Sequence, residues 1–187
     1  ASAELNTVQS YEDILRILRS ATILGSHASS DVTINSFDVP WQLNVIDQVP
    51  EWTVPIALWS TVPMIDPQTK SAQMAERRLT VSGSTTARFL YRPDAVTIIL
   101  DPGSDPLLDP AARGLFVDRL GARSILVVPL TVGGQFIGHI TALFTERMHF
   151  TEQDVRVLMA LAGQAAVAIQ NIRLLDETRR RATQLET

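Results

Sequence analysis

Apolar residues recur at helical spacing early in the chain: Ile14, Ile17, Leu18 and Ala21 fall at i, i+3, i+4 and i+7. Ser10 precedes them as an N-cap with Asp13 three residues on, and Gly25 follows, so a helix is predicted between these marks. Leu5 and Val8 suit a further turn or two in front. Asp31 to Asp38 reads as a strand with Val32, Ile34 and Ser36 on one face, stopped by Pro40. Trp52 to Val62 is a second strand, and Pro55 within it points to a sheet edge or a bulge. Trp41 to Glu51 and Pro63 to Ser71 read as loops. Glu76 to Val81 predicts a short strand, Ser84 to Leu90 a turn of helix, and Ala95 to Leu100 an apolar strand of β-branched residues.

The second half is more sharply punctuated. Asp109 is placed to cap a helix that has Pro110 at its first position and Gly121 as its left-handed stop after Leu120. Ser124 to Val132 and Gln135 to Phe144 read as strands joined by Gly133-Gly134, a two-residue hairpin turn. That turn pairs Val132 with Gln135, Val128 with His139 and Ser124 with Leu143, and sets Pro129 opposite Gly138. In this register one face carries Ile125, Val127, Ile140, Ala142 and Phe144; the other carries Ser124, Leu126, Val128, Ile137, His139 and Thr141. Both faces are mostly apolar, so the sheet must be covered on both sides. Thr151 caps the last helix, Asp154 completes a capping box and Phe150 can staple onto Val155. Leu158, Leu161, Ala165, Ala168, Ile172 and Leu175 recur at alternating spacings of three and four, which predicts a coiled-coil seam. Beyond Leu175 the chain turns polar, as expected of a helix leaving a globule.

Length and composition narrow the class. The 187 residues suffice for one well-buried core with terminal helices to spare, and 45% hydrophobic with 19% charged residues excludes wholesale disorder. A net charge of −4 leaves no basic surplus for nucleic acid. Cysteine is absent, which removes disulfides, zinc–thiolate sites, iron–sulfur clusters and thiol nucleophiles together. No apolar run reads as a membrane span and no signal peptide is recognisable, so no membrane contact is expected. Lys70 is the only lysine. The chain opens on Ala1-Ser2-Ala3-Glu4 and reads as a piece of a longer cytoplasmic protein.

Several segments resemble the GAF domain family. Gly121-Ala122-Arg123-Ser124-Ile125-Leu126-Val127-Val128-Pro129-Leu130 is similar to its pattern of a small residue, Arg-Ser, alternating apolars and Pro-Leu. Gly134-Gln135-Phe136-Ile137-Gly138 resembles its hairpin, and Phe150-Thr151-Glu152-Gln153-Asp154 the start of its last helix. Leu158 to Leu174, with Ala168-Ile169-Gln170-Asn171, resembles the helix itself, and Asp101 to Pro106 the stretch before its inner helix. The likeness spans residues 95 to 175. It implies an α+β fold: an antiparallel sheet with terminal helices on one face and a ligand pocket under loops and a short helix on the other. Residues 1–187 would form a single domain, with a core from about 10 to 175 and the start of a C-terminal signalling helix from 176. The role implied is a non-catalytic sensory input domain that binds a small molecule, dimerises, or both. Its neighbours in the full-length protein would be an output or sensor domain such as a histidine kinase in a two-component system.

The candidate chemistry is sparse. His27, His139 and His149 lack metal-site spacing, so no metal is expected; His139 either lines a pocket or is a satisfied core histidine. Asp101, Asp105 and Asp109 do not fit a calcium loop and suit turns and caps. Ser124, His139 and Asp101 lack a nucleophile elbow and a triad's proximity, and Gly133-Gly134 is a turn rather than a phosphate loop. Trp41, Trp52 and Trp59 either pack core and edge or wall a cavity. Arg179-Arg180-Arg181 reads as a solvated helix face. The expected ligand-binding residues are Ser124, Val128, His139 and Thr141 on the more polar sheet face. Asp101, Arg113 and Arg123 join them from the lid formed by the 101–108 loop and the inner helix. The expected dimer interface is Leu158, Leu161, Ala165, Ala168, Ile172 and Leu175. Against the family pattern, no thiol is available to attach a bilin covalently, and the Asn-Lys…Phe…Asp-Glu signature of cyclic-nucleotide binders is not found, so the small molecule is unidentified. The rival readings are a dimerisation module with a collapsed pocket and a small enzyme such as a sulfoxide reductase, whose chemistry needs cysteine thiols.

Overall fold

The computed structural model describes residues 1–42, 48–62 and 70–186. Parts of the loops expected at Trp41 to Glu51 and Pro63 to Ser71 lie outside the described residues. After α1 (Ser2–Leu5), α2 (Tyr11–Ala21) forms where the helical pattern predicts it, with the Ser10 hydroxyl accepting the Asp13 N–H. A 3-10 turn at Ile23–Gly25 then leads into β1 (Ser29–Trp41). This strand runs past Pro40, contrary to the sequence reading, because the pairing with β6 is already irregular between Ser36 and Trp41 and asks no N–H of the proline.

β2 (Trp52–Ser60) follows, then α3 (Lys70–Glu76), β3 (Leu79–Thr80), α4 (Thr85–Leu90), β4 (Thr97–Ile99) and α5 (Pro110–Arg113). The strand expected from Glu76 to Val81 shrinks to two residues, because α3 ends at Glu76 and the N–H groups of Arg77 and Arg78 turn back onto the Met74 and Ala75 carbonyls. α5 continues as a π-helical turn at Gly114–Arg119, and Gly121 closes it at a φ of 70°. β5 (Ser124–Val132) and β6 (Gln135–Phe144) meet at Gly133-Gly134, whose φ values of 57° and 74° are those of the primed turn. α6 (Glu152–Leu185) begins with a complete capping box between Thr151 and Asp154.

The six strands make one sheet in the order β3-β2-β1-β6-β5-β4, each neighbouring pair antiparallel. Pro55 sits in β2 beside a bulge, where Ala57 and Pro55 pair with consecutive β1 residues Ile34 and Asn35. β3 reaches only Trp52 and Thr53, so the missing proline N–H costs no ladder bond.

Two apolar layers cover the sheet. On one face α2, α6 and Leu5 bury Val32, Ile34, Leu126, Val128, Ile140, Ala142 and Phe144. On the other, α4, α5 and their loops bury Phe37, Ile125, Val127, Phe136 and Leu143. The hairpin register expected from the turn is corrected here. Val132 pairs with Gln135, but a bulge sets Leu130 opposite Gly138 and Thr131 opposite Phe136, leaving Ile137 unpaired. Every later pair moves by one: Pro129 faces His139, Val128 faces Ile140 and Ser124 faces Phe144. A one-residue slip exchanges faces, so Ser124 and Val128 belong with the terminal helices while His139 and Thr141 face the lid layer.

α6 meets a second correction. Its length and composition would allow a membrane span, as those of buried core helices also do; the correction concerns the dimer seam. Leu158, Leu161, Ala165, Ala168 and Ile172 of the expected dimer seam are instead buried in this domain's own core. Leu175 alone of the six is exposed, at 57%.

Candidate functional site

The lid face carries an unusual run of polar residues. β1 alternates, so Val32 and Ile34 face the helices while Asp31, Thr33 and Asn35 face the lid. Thr53 joins them from β2, and His139 and Thr141 from β6. Arg77, just past the end of α3, and Tyr91, just past the end of α4, close the group from above with Leu79, Phe116 and Leu120. These residues line a chamber of about 10 Å³, room for roughly one water molecule.

Most of the polar groups are paired. Arg77 grips Asp31 with two nitrogens: Nε donates to both carboxylate oxygens at 3.3 and 3.2 Å, and a terminal nitrogen donates at 2.6 Å. Its other terminal nitrogen donates to the Gln73 carbonyl at 2.8 Å, and both partners are buried. The pair pins the end of α3 onto β1 and leaves that end of the chamber electrically neutral. Asn35 donates to the Thr33 hydroxyl at 2.9 Å.

His139 is 2% exposed, with Nδ1 lying 3.0 Å from the Thr141 hydroxyl. Its Nε2 has no hydrogen-bond partner among the described residues. Burial pushes the His139 pKa down to about 3, so the ring is neutral. Tyr91 stacks on it with ring centroids 4.1 Å apart, and Phe37 packs edge-on against Tyr91 and tilted against His139. Burial holds the Tyr91 phenol pKa above the usual phenol range, with Thr53 acting in the opposite direction.

A second, wider space lies behind Tyr91. This cleft of about 230 Å³ is bounded by β3, α4 and α5, and it shares Leu79 and Tyr91 with the chamber. At its rim the Asp109 carboxylate caps α5 through the Ala112 N–H at 2.8 Å and accepts the Ser84 hydroxyl at 3.2 Å. The Ala112 bond, first among several, lowers the Asp109 pKa.

Of the residues expected to bind a ligand, the structure brings His139 and Thr141 into the chamber. Ser124 is fully buried on the helix face, donating to the Glu146 carbonyl at 2.7 Å, and Val128 packs in the helix layer. Both were misplaced by the register slip. Arg113 is turned onto the lid backbone, donating to the carbonyls of Asp105 and Leu108 at 2.7 and 3.1 Å. Asp101 is exposed and accepts the Ser104 hydroxyl, and Arg123 is exposed. The tryptophans wall neither space: Trp41 stacks on Phe136, while Trp52 and Trp59 lie under Arg78 and Arg19. Asp31, Thr33, Asn35, Thr53, Arg77 and Tyr91 escaped the sequence reading. The alternation Asp31-Thr33-Asn35 opposite Val32 and Ile34 was the available signal: a strand covered on both sides with one polar face implies a polar interior.

The comparisons agree on what kind of domain this is. The GAF domain family model matches residues 16–169. A comparison with curated proteins finds no match. Among solved structures, a GAF domain/HD domain protein from Geobacter sulfurreducens aligns at 18% identity and a TM-score of 0.61, over 91% of this chain and 98% of that one. The domain of a putative two-component sensor histidine kinase protein from Sinorhizobium meliloti aligns at 13% identity and 0.60, over 92% and 99%. A free methionine-R-sulfoxide reductase from Neisseria meningitidis aligns at 15% and 0.58, over 93% and 86%. At such identities the structures speak for the fold, and the family match carries the assignment: the chain belongs to the GAF domain family.

Proposed function

We propose that the chain is a sensory input domain of a larger cytoplasmic signalling protein. In this reading it binds a small polar molecule non-covalently on the lid face, in the cleft and against the chamber that adjoins it, and passes occupancy to α6. The observation that carries the proposal is His139, whose Nε2 is buried without a protein partner at the wall of a polar chamber. A buried ring nitrogen left unpaired is costly, and a ligand or water that pairs with it recovers that cost. A link to α6 is built into β1. Asn35 lines the chamber, and the next residue, Ser36, accepts a hydrogen bond from Arg173 of α6. Arg173 directly follows Ile172, the last buried residue of that helix, so ligand-dependent movement of β1 reaches α6 where it leaves the core.

Dimerisation belongs to the same proposal, but through a different face of α6 from the one expected. Val167 and Leu174 are 46% and 58% exposed and stand seven residues apart on the side away from the sheet. Leu174, Leu175 and Val8 border a groove of about 500 Å³ between α6 and the segment 6–9 that follows α1. A second copy of α6 is the occupant this seam fits. An enzymatic reading has no thiol to work with, since the chain has no cysteine.

Thermal denaturation with a panel of neutral aromatic and amide metabolites at 1 mM tests the chamber. A compound bound at 10 μM adds about 2.7 kcal/mol, roughly 5–10 °C for a domain of this size. At least one member should raise Tm in the wild type and leave His139→Leu unmoved. Equal shifts in both proteins, or no shift with any member, would overturn the reading.

A further inference from the structure

The chamber and the cleft behind it are separated by two side chains, Leu79 and Tyr91, which line both. We propose that the two spaces are halves of one binding site for a small neutral aromatic molecule carrying a hydroxyl at its edge, and that Tyr91 plugs this site from within. The inference rests on the chamber being a ligand site.

The ligand's chemistry follows from what Tyr91 does there. Its phenol ring lies on the face of His139 at 4.1 Å and is 4% exposed, with Thr53 the polar side chain that acts on its hydroxyl. The protein thus supplies its own phenol to a stacking platform with a polar rim. A visiting ring that took this place would find Thr53, Thr141, Asn35 and the unpartnered His139 Nε2 around its edge. Inside the chamber charge would gain it nothing. His139 is neutral, and the Asp31–Arg77 pair closes the far end without net charge. The cleft's volume of about 230 Å³ suits one substituted ring.

The plug is also mounted to move. Leu79 belongs to a two-residue edge strand, and Tyr91 follows the six-residue α4, held at its base by one bond from its N–H to the Ala87 carbonyl at 2.9 Å. Short elements with few backbone bonds open at lower free energy than the central strands beneath them. When the Tyr91 ring swings away from His139, chamber and cleft become continuous. The way in then lies past Ala111, which is exposed at the cleft wall.

The probe is p-cresol, the shape of a tyrosine side chain, titrated by calorimetry and 1H–15N NMR into the whole chain and its variants. Tyr91→Phe keeps the ring but removes the hydroxyl on which Thr53 acts, so p-cresol should bind it several-fold more tightly than the wild type. Tyr91→Ala empties the site and should bind at least 30-fold more tightly, with NMR shifts at Thr53, Thr141 and the His139 imidazole. In Tyr91→Ala, adding Thr53→Val should weaken p-cresol about tenfold and leave toluene unchanged, which a mere hole would not do. Ala111→Trp, filling the cleft, should slow association in every background.

Should Tyr91→Ala fail to fold, the Tyr91→Phe and Ala111→Trp results still decide. Binding no tighter in Tyr91→Phe than in the wild type, or an association rate indifferent to Ala111→Trp, overturns the plug. If those arms fail while the metabolite panel still distinguishes wild type from His139→Leu, the chamber reading survives and the Tyr91 inference alone is lost. If the panel fails as well, both go.

Discussion

The stability of this domain should fall by about 2 kcal/mol between pH 7 and pH 5 because of His139 alone. The ring has a pKa near 6.5 in the unfolded chain, and burial lowers it to about 3 in the folded one. The unfolded chain therefore takes up a proton below pH 6.5 that the folded chain refuses. The stability due to the neutral ring is fully present above 6.5 and is lost progressively as the pH falls towards 3. Integrating between pH 7 and pH 5 gives about 2 kcal/mol. The figure barely changes if the folded value is 4 rather than 3, since both lie below the window.

Urea denaturation of the wild type and of His139→Gln at the two pH values isolates this term. The variant cannot titrate at this position, so its own pH dependence reports every other group. The difference between the two pH dependences is the His139 contribution, whatever the substitution costs overall. Asp31, Arg77 and Tyr91 face the same chamber, but the Asp31 carboxylate is taken up by Arg77. Parallel pH dependences in the two proteins would refute the reasoning. His139 would then accept its proton in the folded state, and the chamber would have to be wet or charge-compensated rather than sealed.

Other outcomes follow from single contacts. Asp31→Asn leaves Arg77 buried without its counter-charge and should cost about 3–5 kcal/mol by chemical denaturation, whereas Asp31→Leu with Arg77→Met should recover much of that loss. Val167→Asp with Leu174→Asp should convert a dimer to a folded monomer in analytical ultracentrifugation; a wild type that is monomeric at high micromolar concentration removes the α6 interface from the proposal. Gly138→Ala would set a Cβ 2.0 Å from the Asn35 carbonyl oxygen and force β1 from β6, so a fall in stability of at least about 1–3 kcal/mol is expected. Gly163→Ala meets nothing within 4 Å in the helix and should raise Tm through roughly 1 kcal/mol of helix propensity.

What was legible in the sequence was local. Ser10, Asp109 and Thr151 cap helices because a side-chain oxygen and a backbone N–H three residues away need no other part of the molecule. Gly133-Gly134 dictates its turn for the same reason. What failed needed information from elsewhere in the fold. The bulge at Ile137 leaves no mark at the turn, yet it exchanges the faces of the two strands and removes Ser124 and Val128 from the site. Arg77 could not be matched to Asp31, 46 residues away, by any spacing rule. Tyr91 follows a short helix and meets His139 only in the folded chain.

The last helix shows why a correct pattern can still name the wrong partner. Residues spaced alternately by three and four make a stripe down one side of a helix, and a stripe is what any helix needs in order to lie on a sheet. The seam from Leu158 to Ile172 is such a stripe, and the sheet of its own domain consumes it. A helix must satisfy that internal demand before it has anything to offer a second chain. The residues on which the dimer proposal rests are therefore those outside the stripe: Val167 and Leu174, seven apart, with Ala160 and Gly163 keeping the same side narrow. Two large apolar side chains left exposed on a face that the core does not use are worth roughly 1.5–3 kcal/mol each when covered, enough to make that face rather than the seam the one to mutate first.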